Sequence, residues 1–261
     1  MLEAVIFDLD GTLVDSEQHG HRVAFNEAFE AMGLPDRWAP ERYRDLLAVT
    51  GGERRLFSWL SDPESSFCDR PEQERKEMAA QLHRWKSDRF ETMATAGAIP
   101  AREGVTDWLD DLARDGVRLA VATTGSRQWA VPLLNQVFGP DRFEVVVGGE
   151  DVSQRKPDPE AYQLTLERLG LDRGAVVAVE DSGPGWEAAR QAGLVCVVVA
   201  NDETELDDVA GAGGAPLVLD GFGPSPRIID DRFGVMNSDS HPHPAMAEVL
   251  AHLLACATIE P

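Results

Sequence analysis

One stretch near the amino terminus limits the fold more than any other: Val5-Ile6-Phe7-Asp8-Leu9-Asp10-Gly11-Thr12-Leu13-Val14-Asp15. Ala4 to Phe7 is short, apolar, and rich in β-branched and aromatic residues, which suits a strand buried on both faces of a parallel sheet. Polar residues begin abruptly at its carboxyl end. Ligands of open α/β sheets bind outside that edge, so Asp8 and Asp10 face the crevice while Leu9 points away. Gly11 permits the sharp turn that takes the chain out of the sheet. A carboxylate placed there can act as a covalent nucleophile toward phosphorus, and a second one two residues on can protonate the leaving oxygen and later activate water. Such a pair needs a cation to hold a phosphate against two anions. Asp-x-Asp alone also occurs as a simple capping turn, and the rest of the chain decides between the two.

At 261 residues, 43% hydrophobic and 27% charged, the chain can bury a sizeable core as one domain with an insertion, or as two small domains. The amino terminus lacks a basic segment leading into a long apolar run, and the apolar runs are of strand length, so a cytoplasmic protein is expected. A formal charge of −22 repels nucleic-acid backbones and anionic membranes, so neither is expected as a partner. Only Lys76, Lys86 and Lys156 among the 24 basic residues are lysines, which draws attention to where each stands. Cys68, Cys196 and Cys256 are odd in number and unpatterned, and point to neither a disulfide framework nor a zinc site.

After Asp15 the pattern turns helical. Ser16-Glu17 reads as a helix start, with Val23, Phe25, Ala28, Phe29 and Met32 at helical spacing until Gly33-Leu34-Pro35. Trp38–Leu47, Glu53–Leu60 and Pro71–Met93 continue the helical character, with no convincing strand. This predicts a helical cap over residues 16–96, sitting over the mouth of the sheet, and a catalytic core over 1–15 and 97–261. The core alternates helix and strand, the signature of a parallel sheet. Strands are expected at Val117–Thr123, Phe143–Val147, Ala175–Val179, Val195–Val199 and Pro216–Leu219. Helices are expected at Gly104–Arg114, Arg127–Val137, Pro159–Leu169, Gly185–Ala192 and Ala245–Ala255. Between Pro226 and Pro244 no strong pattern is visible, and His241 and His243 read as a surface loop.

Each strand delivers polar residues at its carboxyl end. Ala122-Thr123-Thr124-Gly125-Ser126 offers a hydroxyl and successive N–H groups running into a helix, which suits an anion site and equally a helix cap. Gln154-Arg155-Lys156-Pro157-Asp158-Pro159 holds a scarce lysine before two prolines, where an ammonium can neutralise phosphate oxygens, or merely be solvated. Val176–Val179 runs straight into Glu180-Asp181-Ser182-Gly183. Adjacent buried carboxylates repel, which a hard cation relieves. Mg²⁺ favours a few carboxylates, several waters and a substrate phosphate, so Asp8, the Asp10 carbonyl and Asp181 form a ligand set, with helix capping by Asp181 or Ser182 the alternative.

The order Asp-x-Asp-Gly-Thr, strand-end Thr, Lys-Pro-x-Pro and Glu-Asp-Ser-x-x-Gly, each closing a successive strand, resembles the haloacid dehalogenase-like phosphohydrolases over nearly the whole chain. The resemblance implies a Rossmann-like, doubly wound parallel sheet with an inserted helical cap. It implies Asp8 as nucleophile, Asp10 as general acid/base, Thr123 as phosphate hydroxyl, Lys156 as phosphate-binding cation, and Mg²⁺ held by Asp8, Asp10 and Asp181 with Glu180 beside them. Thr124, Gly125 and Arg127 become substrate contacts.

His21-Arg22-Val23-Ala24-Phe25-Asn26, Tyr43-Arg44-Asp45-Leu46-Leu47, Thr50-Gly51-Gly52, Arg54-Arg55 and Leu82-His83-Arg84-Trp85-Lys86 resemble the CbbY-type sugar bisphosphate phosphatases, which hydrolyse xylulose 1,5-bisphosphate. That likeness makes His21, Gly51, Gly52, Arg55 and Lys86 candidate cap contacts, with solvated helix-face charges the lesser alternative for Arg54, Arg55 and Lys86 on charge patterning alone. The family's cap histidine spacing falls on Gly20, between His19 and His21. Alignment through Ala24-Phe25-Asn26 favours His21 and implies one inserted residue. The expected activity is a Mg²⁺-dependent sugar-phosphate phosphatase, monomeric or homodimeric, acting on a small phosphorylated sugar. A β-phosphoglucomutase-type phosphomutase and a phosphoglycolate phosphatase are the alternatives. Thr12, where the resemblance implies a less polar residue in that mutase, and the CbbY-like cap both favour hydrolysis. A phospho-acceptor or catalytically dead binding module is the rival outside enzymes.

Overall fold

The protein is described by a computed structural model over residues 1–49, 51–210, 214–215, 217–223, 226–232 and 246–257. Two compact units form, one from Met1–Val14 with Ala101–Pro261 and the other from Asp15–Pro100.

The first unit holds a sheet whose strands are β1 (Ala4–Phe7), β2 (Arg118–Ala122), β3 (Val145–Val147), β4 (Val176–Glu180), β5 (Val195–Val199), β6 (Leu217–Leu219) and β7 (Ile228–Asp231). Their order is β3-β2-β1-β4-β5-β6-β7. All adjacent pairs are parallel except β6 with β7. The strand order reverses at β1, whose neighbours are β2 and β4, and this switch point opens the crevice at the carboxyl edge. β1 and β4 are buried along their whole length, which is why β1, and β4 as far as Val179, read as unbroken apolar runs rather than alternating ones. Ala120, Ala122, Tyr162, Ala178, Ala188 and Val198 belong to one core cluster on the sheet. Helices α5 (Val105–Arg114), α6 (Arg127–Phe138), α7 (Glu160–Leu169), α8 (Gly183–Gln191) and α10 (Met246–Ala257) connect and flank the strands, with a single short turn of helix, α9, at Leu206–Val209. α5 is a clean amphipath, with Val105, Trp108, Leu109 and Leu112 buried at helical spacing.

Several expectations change. The stretch expected to be featureless contains β7, whose Ile-Ile-Asp-Asp has no alternation to betray it and which pairs antiparallel across a register shift at Val218/Leu219. β3 is confined to Val145–Val147, shorter than the predicted Phe143–Val147. α9 was not expected. His241, His243 and Ala245 lie outside the described residues, as do Thr50 and Pro216.

The second unit is helical: α1 (Arg22–Ala31), α2 (Pro40–Leu46), α3 (Gly52–Leu60) and α4 (Glu72–Thr95). Its core is aromatic, with Phe25, Phe29, Trp38, Tyr43, Leu56, Leu60 and Leu82 almost wholly buried. Each such side chain contributes about 1.5–3 kcal/mol of transfer free energy. Trp38 is held by Asn26, whose Oδ1 accepts from the Trp38 N–H at 2.7 Å and whose Nδ2 donates to the Trp38 carbonyl at 3.0 Å. The helix start expected at Ser16-Glu17 is found there, without a side-chain cap from Ser16. That serine is buried in helical conformation, and the chain enters α1 through a π-helical turn, Glu17–His21, in which the Arg22 N–H reaches back five residues to the Glu17 carbonyl.

Candidate active site

Asp8 leaves the end of β1 with only 7% of its surface exposed, and the Lys156 ammonium donates to its Oδ1 at 2.5 Å. The same ammonium donates to Glu180 Oε1 at 2.5 Å and to the Ala122 carbonyl at 2.8 Å. One cation therefore ties the ends of β1, β2 and β4 together. Pro159 immediately precedes α7, and that helix brings Tyr162, whose hydroxyl donates to Glu180 Oε1 at 2.5 Å. Burial alone would lower the Lys156 pKa, but Asp8 and Glu180 beside it hold the ammonium above its usual value. Burial pushes the Asp8 carboxyl well above the usual range. Lys156 opposes that push, and the charges of Glu180, Asp181 and Asp10 add to it.

Asp181 follows β4 and is held at both oxygens: Thr12 Oγ1 donates to Oδ1 at 3.0 Å and Asn201 Nδ2 donates to Oδ2 at 2.7 Å. Thr12, at 0% exposure, is thus engaged in orienting a carboxylate. Burial raises the Asp181 carboxyl to about 7, with Glu180 adding to the rise and Asn201, Arg102 and Thr12 opposing it. Two glycines make this crowding possible. A Cβ on Gly11, whose φ is +79°, would stand 2.2 Å from Asp181 Oδ2, and one on Gly185 would stand 1.9 Å from Glu180 Oε2. The glycine of Glu-Asp-Ser-x-x-Gly is thereby explained. Ser182, accepting from the Gly185 N–H at 3.2 Å, caps α8, so Asp181 is not spent on capping.

Single oxygens of Asp8, Glu180 and Asp181 lie within 4.8 Å of one another, and Glu180 Oε2 is buried without a hydrogen-bond partner. An all-oxygen, anionic, buried donor set fits a hard divalent cation.

Thr123 ends β2 at 1% exposure, and its hydroxyl accepts from the Gly125 N–H at 2.9 Å. Ser126 caps α6 by accepting from Gln128 N–H at 3.2 Å. Glu150 Oε1 accepts from the Arg127 N–H at 2.9 Å. Of the successive N–H groups in this segment, those of Gly125 and Arg127 have partners within the chain. A side chain at Gly125 would strike Trp129. The Arg127 side chain forms a 3.6 Å ion pair with Asp151.

Within the helical unit, Lys86 Nζ donates to His21 Nδ1 at 3.0 Å and lies 4.9 Å from the ring centres of both Phe25 and Phe90. Burial first, then Lys86, Arg55 and His83, lowers the His21 pKa well below 6.5. His19 is instead exposed and paired with Asp15 at 2.6 Å. Arg55 donates to the Leu46 carbonyl at 3.0 Å and to the Tyr43 hydroxyl at 3.3 Å, so it is fixed rather than loosely solvated. Gly51 has φ +92°, and a Cβ on Gly52 would meet His83 at 2.8 Å.

Sequence reasoning missed Tyr162, Arg102, Asn201 and Thr204. Asn201 was findable, being a polar residue just beyond the carboxyl end of the apolar strand β5. Tyr162 and Arg102 give no signal apart from the fold, since one sits in a helical apolar pattern and the other is a lone cation.

A profile of haloacid dehalogenase-like hydrolases matches residues 2–193. The chain belongs to the haloacid dehalogenase-like hydrolase family. Protein CbbY of Cereibacter sphaeroides is 40% identical over 225 residues, 85% of this chain and 93% of its own length. A phosphoglycolate phosphatase of Photorhabdus laumondii is 33% identical over 75% of this chain and 79% of its own. The crystal structure of a CbbY variant from Rhodobacter sphaeroides in complex with xylulose 1,5-bisphosphate superposes with a TM-score of 0.66 at 37% identity, covering 85% of this chain and 95% of that one. As a haloacid dehalogenase-like hydrolase with phosphatases among its relatives, the protein is an enzyme that hydrolyses phosphoric monoesters.

Proposed function

We propose that the protein is a Mg²⁺-dependent sugar-phosphate phosphatase that works through an aspartyl-phosphate on Asp8, with xylulose 1,5-bisphosphate or a similar sugar bisphosphate as substrate. The observation that carries the reading is the buried Asp8 carboxylate, oriented by Lys156 at a sheet edge crowded with further carboxylates. The likeness to CbbY supports the substrate.

An Asp8 carboxylate oxygen attacks phosphorus, forming an O–P bond as the P–O bond to the sugar breaks. Asp10 gives its proton to the departing sugar oxygen. Asp10, now a base, takes a proton from the water that attacks the phosphoryl group, releasing phosphate and restoring Asp8. Lys156 and the Thr123 hydroxyl hold phosphoryl oxygens in line through both steps. Asp8, the Asp10 carbonyl and Asp181, with Glu180 beside them, would hold Mg²⁺, whose charge would offset that of the phosphoryl oxygens. Arg55 and Lys86, together with His21, Gly51 and Gly52, are the proposed contacts of the helical unit to the remainder of the substrate. Thr124, Gly125 and Arg127 are proposed near the phosphate.

Phosphate release is to be measured with Mg²⁺ over xylulose 1,5-bisphosphate, ribulose 1,5-bisphosphate, phosphoglycolate and β-glucose 1-phosphate. Preference for the first is expected. Asp8→Asn is expected to abolish turnover with the fold intact, and retained turnover would remove Asp8 as nucleophile. Glucose 6-phosphate appearing faster than free phosphate would favour the mutase.

A further inference from the structure

The segment after β5 reaches the centre of the site from the side. Asn201 Nδ2 donates to the Gly11 carbonyl at 3.0 Å and to Asp181 Oδ2 at 2.7 Å. Its Oδ1 accepts from the Glu203 N–H at 2.8 Å, which fixes the amide's orientation. Thr204 Oγ1 donates to the Asp181 carbonyl at 2.6 Å and accepts from the Asn201 N–H at 2.9 Å. Arg102 fastens the other end of the same arrangement, donating to the carbonyls of Gly11 at 2.7 Å, Val199 at 2.9 Å and Ala200 at 2.7 Å. The turn carrying Asp8, Asp10 and Gly11 is thus tied to Asp181 Oδ2 through the Asn201 amide, beside the direct bond from Thr12 to Asp181 Oδ1. A Cβ on Gly11 would lie 3.0 Å from Asn201 Nδ2, so the three groups pack without slack.

We infer that Asn201, braced by Thr204, is a positioning residue that sets the separation between the Asp8–Gly11 turn and Asp181 and thereby the affinity for the divalent cation. The inference rests on the reading of Asp181 as a cation ligand. Groups that orient metal ligands typically contribute about 10–100-fold in metal affinity. Neither Asn201 nor Thr204 needs to touch substrate or cation for this, since they act through Asp181 and Gly11.

The test is calorimetric titration of Mg²⁺ into metal-free enzyme without substrate, with thermal midpoints of the metal-free proteins measured alongside. Asn201→Ala is expected to weaken Mg²⁺ binding by about tenfold or more. Thr204→Val, which keeps shape and removes the hydroxyl, is expected to weaken it in the same direction, and serves alone if Asn201→Ala does not fold. A lowered thermal midpoint with unchanged Mg²⁺ affinity in the folded variant would overturn the inference and leave the clamp a purely structural device. Asp181→Asn separates the two levels. If it also leaves Mg²⁺ binding unchanged, the reading of Asp181 as ligand is what fails. If it abolishes binding while Asn201→Ala and Thr204→Val do not weaken it, only the clamp fails.

Discussion

Gly185 has no room for a methyl group. Its hypothetical Cβ overlaps the fully buried Glu180 carboxylate, which is itself held by Lys156 and Tyr162 and has nowhere to retreat. Gly185→Ala is therefore expected to cost about 1–3 kcal/mol in denaturant unfolding and to lower kcat, because the displaced carboxylate carries Lys156 with it. An unchanged kcat would show that Lys156 keeps its place without Glu180. His21 and His83 supply a pH dependence. Both are held below the ordinary 6.5, mainly by burial and then by Lys86, with Glu53 opposing the shift at His83. In acid the unfolded chain takes up protons that the folded chain refuses, so the stability contribution is whole above pH 6.5 and shrinks as pH falls from there toward the folded values. The thermal midpoint is expected to drop between about pH 7 and pH 5.5, and His21→Gln, which keeps an acceptor for Lys86, is expected to flatten part of that slope. The strand-end motif residues were legible because Asp8, Thr123, Lys156 and Asp181 each punctuate an apolar strand or a proline-bounded loop. Asn201 obeys the same rule and was overlooked because no motif surrounds it. Tyr162 was illegible because an aromatic on a helix face is ordinary core until the fold places a carboxylate against its hydroxyl.

The π-helical turn at Glu17–His21 belongs to the scale of elements. One spare residue relative to an α-helix is what the turn's five-residue hydrogen bond accommodates. The spacing argument that implied an inserted residue near Gly20 has a physical counterpart in that turn. Gly20 is packed there, since a Cβ would stand 2.7 Å from Phe90. Deleting His19, the turn's exposed member, is expected to leave the far-ultraviolet circular dichroism and thermal midpoint close to the parent's. Deleting Ala24 rotates the rest of α1 by about 100°, takes Phe25 and Phe29 off the core, and is expected to prevent the helical unit from folding. Equal damage from both deletions would contradict the reading of the turn as the place that absorbs the extra residue. Parallel strands and amphipathic helices were readable from periodicity. The π turn and β7 were not, because one is defined by a hydrogen bond and the other by the partner it finds in β6.

Over the whole molecule, a net charge of −22 sets carboxylates against one another in the compact state. Screening shortens the reach of that repulsion to about 10 Å at 0.1 M salt. The thermal midpoint of the metal-free protein is therefore expected to rise by a few degrees on going from about 20 mM to about 300 mM NaCl. A fall would show that attractive surface pairs such as Arg118–Glu144 and Arg190–Glu187 outweigh the excess of like charge. None of the helices among the described residues is long and apolar enough to cross a membrane.

The reversed last strand has a bearing on how such molecules behave in company. A sheet that stops at a parallel apolar strand offers an incoming chain a ready ladder of unpaired amides. Here the run ends instead on β7, turned antiparallel, entered through a register shift and carrying Asp230 and Asp231. A second copy adding itself there would bring carboxylates alongside carboxylates. The strand that sequence patterning could not see thus blunts one edge of the sheet, the opposite edge being the short strand β3.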